Sequence, residues 1–154
     1  MTTKDNFLPY SKQNIKQKDI EAVIRVLKGE LITQGPMTRK FEEEIENKVQ
    51  VKNAIAVNSA TSALHLCCLA LNIGRNDYVW TSPNSFVASA NCARYCGANV
   101  DFIDINLDNG LICLEAFKEK LKIAEKNNNL PRLVILVHFA GSSCNLSEIY
   151  ELSK

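Results

Sequence analysis

Apolar positions along the chain fall into two rhythms. In the first third they recur every three to four residues. Ile20, Val23, Ile24 and Leu27 make one stripe, which predicts a helix over residues 16–28 with Gly29 as its stop signal. Phe41, Ile45 and Val49 make a second stripe and predict a helix over residues 38–48. The other side of that helix carries Glu42, Glu43, Glu44 and Glu46 and reads as a solvated acidic face. The Gly35-Pro36 pair between the two marks a loop. Ahead of both, Phe7, Leu8, Pro9 and Tyr10 read as an extended start.

From residue 53 short apolar runs alternate with longer helical stretches. Residues 53–58 (NAIAVN), 77–83 (DYVWTSP), 99–105 (NVDFIDI) and 133–139 (LVILVHF) read as strands. Between them lie helical stretches at 59–74, 85–98 and 114–127, and another helix begins near Ser147. The 59–74 stretch is apolar nearly all round, which predicts a buried helix. The last strand lacks polar alternation, as expected where both faces of a sheet are covered. Strands alternating with helices through short links predict an α/β protein, with a mostly parallel sheet flanked by helices. The helix opening at Ser147 meets no stop signal before Lys154, so the reading is a single incomplete domain.

Composition narrows the function classes. A chain of 154 residues, 46% hydrophobic and 23% charged, suits one compact globular domain. Its 18 Lys and Arg against 17 Asp and Glu leave a net charge of +1, which gives no electrostatic footprint for nucleic acid or an anionic membrane. No apolar run approaches the ~20 residues that span a bilayer. The polar start has no secretory h-region, so a cytoplasmic protein is expected. The six cysteines are then expected as free thiols. Cys92 and Cys96 share a helix face, but no C-x-x-C or H-x-x-x-H spacing accompanies them, and no metal site is expected.

Candidate chemistry gathers at strand-to-helix junctions. Asn58-Ser59-Ala60-Thr61-Ser62-Ala63-Leu64 joins a strand to a helix. Free N–H groups and the positive end of the helix dipole make such a first turn a phosphate site. The same hydroxyls also serve as an ordinary helix cap that needs no ligand. Pro83-Asn84-Ser85-Phe86-Val87-Ala88-Ser89-Ala90-Asn91 follows the next strand. There Phe86 is either a stacking face for a flat aromatic ligand or a core residue. Val137-His138-Phe139-Ala140-Gly141 follows a third strand, with His138 a ligand donor or a structural histidine. In open α/β sheets, ligands bind at these carboxyl ends.

The ordered set of an early Tyr, LITQGP, FEEEI, NSATSAL, PNSFVASAN, GANVDFIDI and VHFAG resembles the DegT-type sugar aminotransferase family from about Phe7 to Lys154. These are enzymes dependent on pyridoxal 5'-phosphate (PLP) with the aspartate-aminotransferase-like, type I fold. The resemblance implies an arm over about residues 1–36 and the start of the PLP-binding large domain over about 37–154. It implies PLP held through Ala60, Thr61, Ser62, Phe86, Ser89 and His138. It also implies sugar contacts at Tyr10, Glu30, Leu31, Ile32, Thr33 and Ala60, although Glu30 and Leu31 depart from the family's usual residues.

ITQG, NSATSAL and SFVASAN look most like the branch that serves pseudaminic acid biosynthesis. That branch aminates C4 of a UDP-linked keto-sugar with L-glutamate as donor, as a homodimer. The family's pyridine-facing Asp and cofactor-anchoring Lys match no position in residues 1–154, so catalytic residues are expected to be missing and the chain inactive by itself. A same-family nucleotide-sugar dehydratase and a non-catalytic product are the alternatives. A Rossmann-type module would want a Gly-rich first turn, which NSATSAL lacks.

Overall fold

The computed structural model describes Pro9 and residues 11–154. The extended start expected at Phe7, Leu8 and Tyr10 therefore lies outside the described residues. Backbone contacts group the chain into two compact units, one ending at Ala56 and the other spanning Val57–Lys154.

The first unit holds α1 (Gln17–Leu27) and α2 (Pro36–Val49). At the head of α1 the Lys16 N–H donates to the Asp19 carboxylate at 2.8 Å, satisfying one amide where the helix dipole favours an acid. Pro36 stands in the first turn of α2, where its missing N–H costs nothing. Gln50 closes that helix in a left-handed conformation, φ 57°. Neither helix contains a buried residue, and Ile20, Val23, Ile24 and Leu27 all stand exposed.

Two expectations change here. Residues 53–58 form no strand, and Ile55 is 80% exposed. Apolar β-formers become a strand only beside another strand, and none of the described strands pairs with this segment. In place of a ladder, the Ala54 and Ala56 N–H groups donate to the carboxylates of Glu46 (3.0 Å) and Glu42 (2.8 Å). Those two glutamates therefore leave the solvated acidic face expected for them and serve as surrogate strand acceptors.

The second unit is the α/β body. It runs α3 (Ala60–Ala70), β1 (Tyr78–Thr81), α4 (Ala88–Tyr95), β2 (Asn99–Phe102), α5 (Leu114–Lys126), β3 (Leu133–Ile135) and α6 (Leu146–Leu152). The three strands form a parallel sheet in the order β2-β1-β3, with Thr81 level with Phe102 on one side and Ile135 on the other. Val79 and Trp80 on the central strand are buried on opposite faces, as successive strand residues must be.

Each face has its own core. Val79 packs with Cys68, Ile73, Cys92, Ala93 and Ala98 under α3 and α4. Trp80 packs with Ile103, Ile112, Phe117, Ala124, Cys144 and Ile149 under α5 and α6. The expected all-round burial of the 59–74 helix does not hold. Helix α3 ends at Ala70 and buries only Cys68, leaving Leu66, Leu69 and Leu71 exposed. One sheet face and one neighbouring helix can cover only one side of a cylinder.

Candidate functional site

The topology brings the sequence motifs of the second unit to one edge. All three strands are parallel, so β1, β2 and β3 end on the same side of the sheet. Helix α3 runs back to the start of β1, so its own N-terminus lies toward that edge. Phe86 and Ser89 follow β1, and His138 follows β3.

The first turn of α3 is capped from within. Ser59 is the extended N-cap, and its Oγ accepts the Ser62 N–H at 3.1 Å. The Ser62 hydroxyl donates to Asn58 Oδ1 at 2.7 Å and lies 3.0 Å from Ser59 Oγ. Ala63 N–H donates to the Ser59 carbonyl. Among the described residues no acceptor engages the Ala60 and Thr61 N–H groups, so the free donors of this turn lie there and not on Ser62. The Asn58 contribution carried no sequence signal beyond its place one residue before the cap.

Phe86 is 75% exposed, which settles its ring on the surface and outside the core. It borders a shallow cavity of about 200 Å³ shared with Pro83, Ser85, Val87, Ser89 and Phe102. Ser89 is buried, and its hydroxyl is 2.6 Å from Ser85 Oγ. Ser89 thus braces the loop that carries Phe86.

His138 Nδ1 accepts the Cys144 N–H at 3.1 Å, which holds the neutral ring with its proton on Nε2. The same turn is fixed by Cys144 Sγ donating to the Val137 carbonyl at 3.4 Å. One nitrogen of His138 is therefore structural, and the other remains a donor.

Glu30, Leu31, Ile32 and Thr33 lie in the first unit, between α1 and α2, and all four are exposed. Tyr10 lies outside the described residues. Among the described residues no group of three or more His, Cys, Asp or Glu is placed to hold a metal ion. All six cysteines are free thiols. No described helix is long and apolar enough to cross a membrane.

A capped helix turn with two free amides, an exposed ring and a histidine donor on one sheet edge suit a phosphorylated aromatic ligand. Comparison with known proteins gives this arrangement its family. Residues 13–154 match the DegT/DnrJ/EryC1/StrS aminotransferase family. The chain belongs to that family.

One relative is the UDP-4-amino-4,6-dideoxy-N-acetyl-beta-L-altrosamine transaminase of Campylobacter jejuni. It is 40% identical over 147 residues, covering 96% of this chain and 38% of that protein. A Streptococcus pneumoniae protein solved in its PLP form superposes with a TM-score of 0.84 at 27% identity, over 94% of this chain and 36% of its own. A Helicobacter pylori aminotransferase involved in the biosynthesis of pseudoaminic acid superposes with a TM-score of 0.80 at 32% identity, over 94% of this chain and 38% of its own. The fold is that of the PLP-dependent sugar aminotransferases, and the chain spans little more than a third of the length of these relatives.

Proposed function

We propose that residues 1–154 supply the phosphate-and-ring half of a PLP site in a nucleotide-sugar aminotransferase. The single observation that supports this most is the pair of free amides at Ala60 and Thr61, on the sheet edge that also carries the exposed Phe86 ring. The Ala60 and Thr61 N–H groups and the Thr61 hydroxyl would hold the phosphate at the positive end of α3. Phe86 would lie against the pyridine ring, and His138 would donate from Nε2. Ser62 and Ser89 would act one step back, by holding the turn and the Phe86 loop. Bound there, PLP supplies an electron-withdrawing ring and the carbonyl through which an amino group is carried from donor to acceptor.

In the whole protein, the substrate by this reading is a UDP-linked 4-keto-6-deoxy amino sugar, the amino donor is L-glutamate, and the assembly is a cytoplasmic homodimer. Tyr10 and residues 30–33 would contact the sugar nucleotide. The similarity to the Campylobacter jejuni transaminase supports the substrate class. By this reading the anchoring Lys and the pyridine-facing Asp match no position in residues 1–154, so these residues by themselves would at best hold PLP weakly and non-covalently, without transaminating.

The test is a PLP titration of the purified chain, with inorganic phosphate and with unphosphorylated pyridoxal as competitors. Displacement by phosphate, and little binding of pyridoxal, is the expected result. Equal binding of PLP and pyridoxal would remove the phosphate turn from the proposal.

A further inference from the structure

Three loops leave the carboxyl edge of the sheet, and a single contact point ties them together. Asn84, in the link from β1 to α4, donates its side-chain amide to the Gly110 carbonyl at 3.2 Å. Its own N–H is held by Ser82 Oγ at 3.2 Å. Gly110 is the tip of a small hairpin between β2 and α5. There the Asn106 N–H donates to the Leu111 carbonyl, the Gly110 N–H donates to the Asn106 carbonyl, and Ile105 bridges Ile112. Gly110 sits at φ +71°, and a Cβ there would meet Asn84 Nδ2 and Phe139 Cδ1, each at 3.0 Å. Phe139 is the residue after His138. The hairpin tip is thus wedged between the loop that carries Phe86 and the turn that carries His138.

We propose that Asn84 and Gly110 are positioning residues, which set Phe86 against His138 by clamping their two loops to one hairpin tip. This rests on the PLP reading of that edge. The reason is the exposure of Phe86. A ring that stands 75% in solvent is not held by its own packing, so what sets its place acts through the backbone on either side. On one side the Ser85–Ser89 hydroxyl contact does this. On the other, the Asn84–Gly110 bond is the anchor. Glycine is favoured there for two independent reasons: the positive φ, and the close approach of the Asn84 and Phe139 side chains. A Cβ there requires the Asn84 amide or the Phe139 ring to give way, and each of these belongs to one of the two loops. Neither residue touches the ligand in this reading, and both act through Phe86 and His138.

Fluorine NMR of the 154-residue chain labelled with 4-fluorophenylalanine tests the clamp without relying on activity. Phe86→Leu assigns the Phe86 signal, and Phe117, buried beside Trp80, reports on the core. Asn84→Asp keeps the side-chain shape but turns an acceptor toward the Gly110 carbonyl. The expected result for Asn84→Asp and Gly110→Ala is a shifted or broadened Phe86 signal with the Phe117 signal in place. PLP affinity should also fall by about fivefold, the scale of one lost hydrogen bond.

An unmoved Phe86 signal in Asn84→Asp, with Phe117 also in place, would overturn the proposal. Should Gly110→Ala lose the Phe117 signal by failing to fold, Asn84→Asp decides alone. Should the unsubstituted chain bind no PLP, the cofactor reading fails while the fluorine shifts still decide the clamp.

Discussion

The Ser59 hydroxyl accepts the Ser62 N–H at 3.1 Å, and this bond divides the first turn of α3 into engaged and free amides. Ser59→Ala removes the cap and should destabilise the chain by about 1 kcal/mol. Urea unfolding followed by Trp80 fluorescence measures it. A loss indistinguishable from zero would mean that the cap bond contributes nothing to α3.

Phe86→Ala separates binding from folding. The ring is mostly in solvent, so its removal should change stability by no more than about 0.5 kcal/mol. PLP affinity should fall at least about fivefold, as expected for a lost aromatic stacking contact. A large drop in unfolding free energy would show that the ring is structural.

The paired thiols beneath α3 and α4 should be inert. Burial first, and then the Cys92 thiol beside it, push the Cys68 thiol up from 9.0 to about 12. Cys68 is 1% exposed, whereas Cys67 on the same helix is exposed. Iodoacetamide at pH 8 should therefore label Cys67 and spare Cys68 and Cys92 in the folded chain, as read by peptide mass spectrometry. The linkage has a definite sign. The folded chain holds the Cys68 proton more tightly than the unfolded chain, so this contribution is intact below pH 9 and is lost as pH rises toward 12.

The Glu46 carboxylate latch on Ala54 should open in acid. The Ala54 N–H first, and then the Arg39 guanidinium, hold the Glu46 carboxyl below its usual value. A lowered carboxyl contributes stability above its ordinary 4.5 and loses it as pH falls through the folded value. Exchange of the Ala54 amide should accelerate below that range, beyond the intrinsic pH dependence of exchange. Glu46→Gln should give faster exchange already at neutral pH. Protection unchanged in Glu46→Gln would contradict the latch.

The helices and the three paired strands were legible because their periodicity is local. Ile20, Val23, Ile24 and Leu27 announce α1, and the run from Tyr78 to Thr81 announces β1 whatever surrounds them. Residues 53–58 carry an equally good strand signal, but a strand also needs a neighbour, and that is not written in the segment itself. Helix α3 misled for a related reason. Its apolar composition marks what could be covered, while one sheet face and one helix set what is covered.

At the candidate site, Phe86 after β1 and His138 after β3 stand where motif order put them, whereas the strand expected ahead of the α3 turn does not form. Their internal bonding did not. Nothing in the sequence distinguishes Ser62, whose donors are engaged, from Thr61, whose N–H is free. The contact between Asn84 and Gly110 joins residues too far apart in the chain for any local pattern to reveal.

The most direct test adds PLP to the purified 154-residue chain, reduces with borohydride, and reads the intact mass beside an assay with L-glutamate and a UDP-linked 4-keto sugar. A half-site predicts saturable binding that phosphate displaces, no mass added at stoichiometric PLP, and no turnover. A stoichiometric covalent adduct accompanied by turnover, or the absence of any PLP binding, would contradict it.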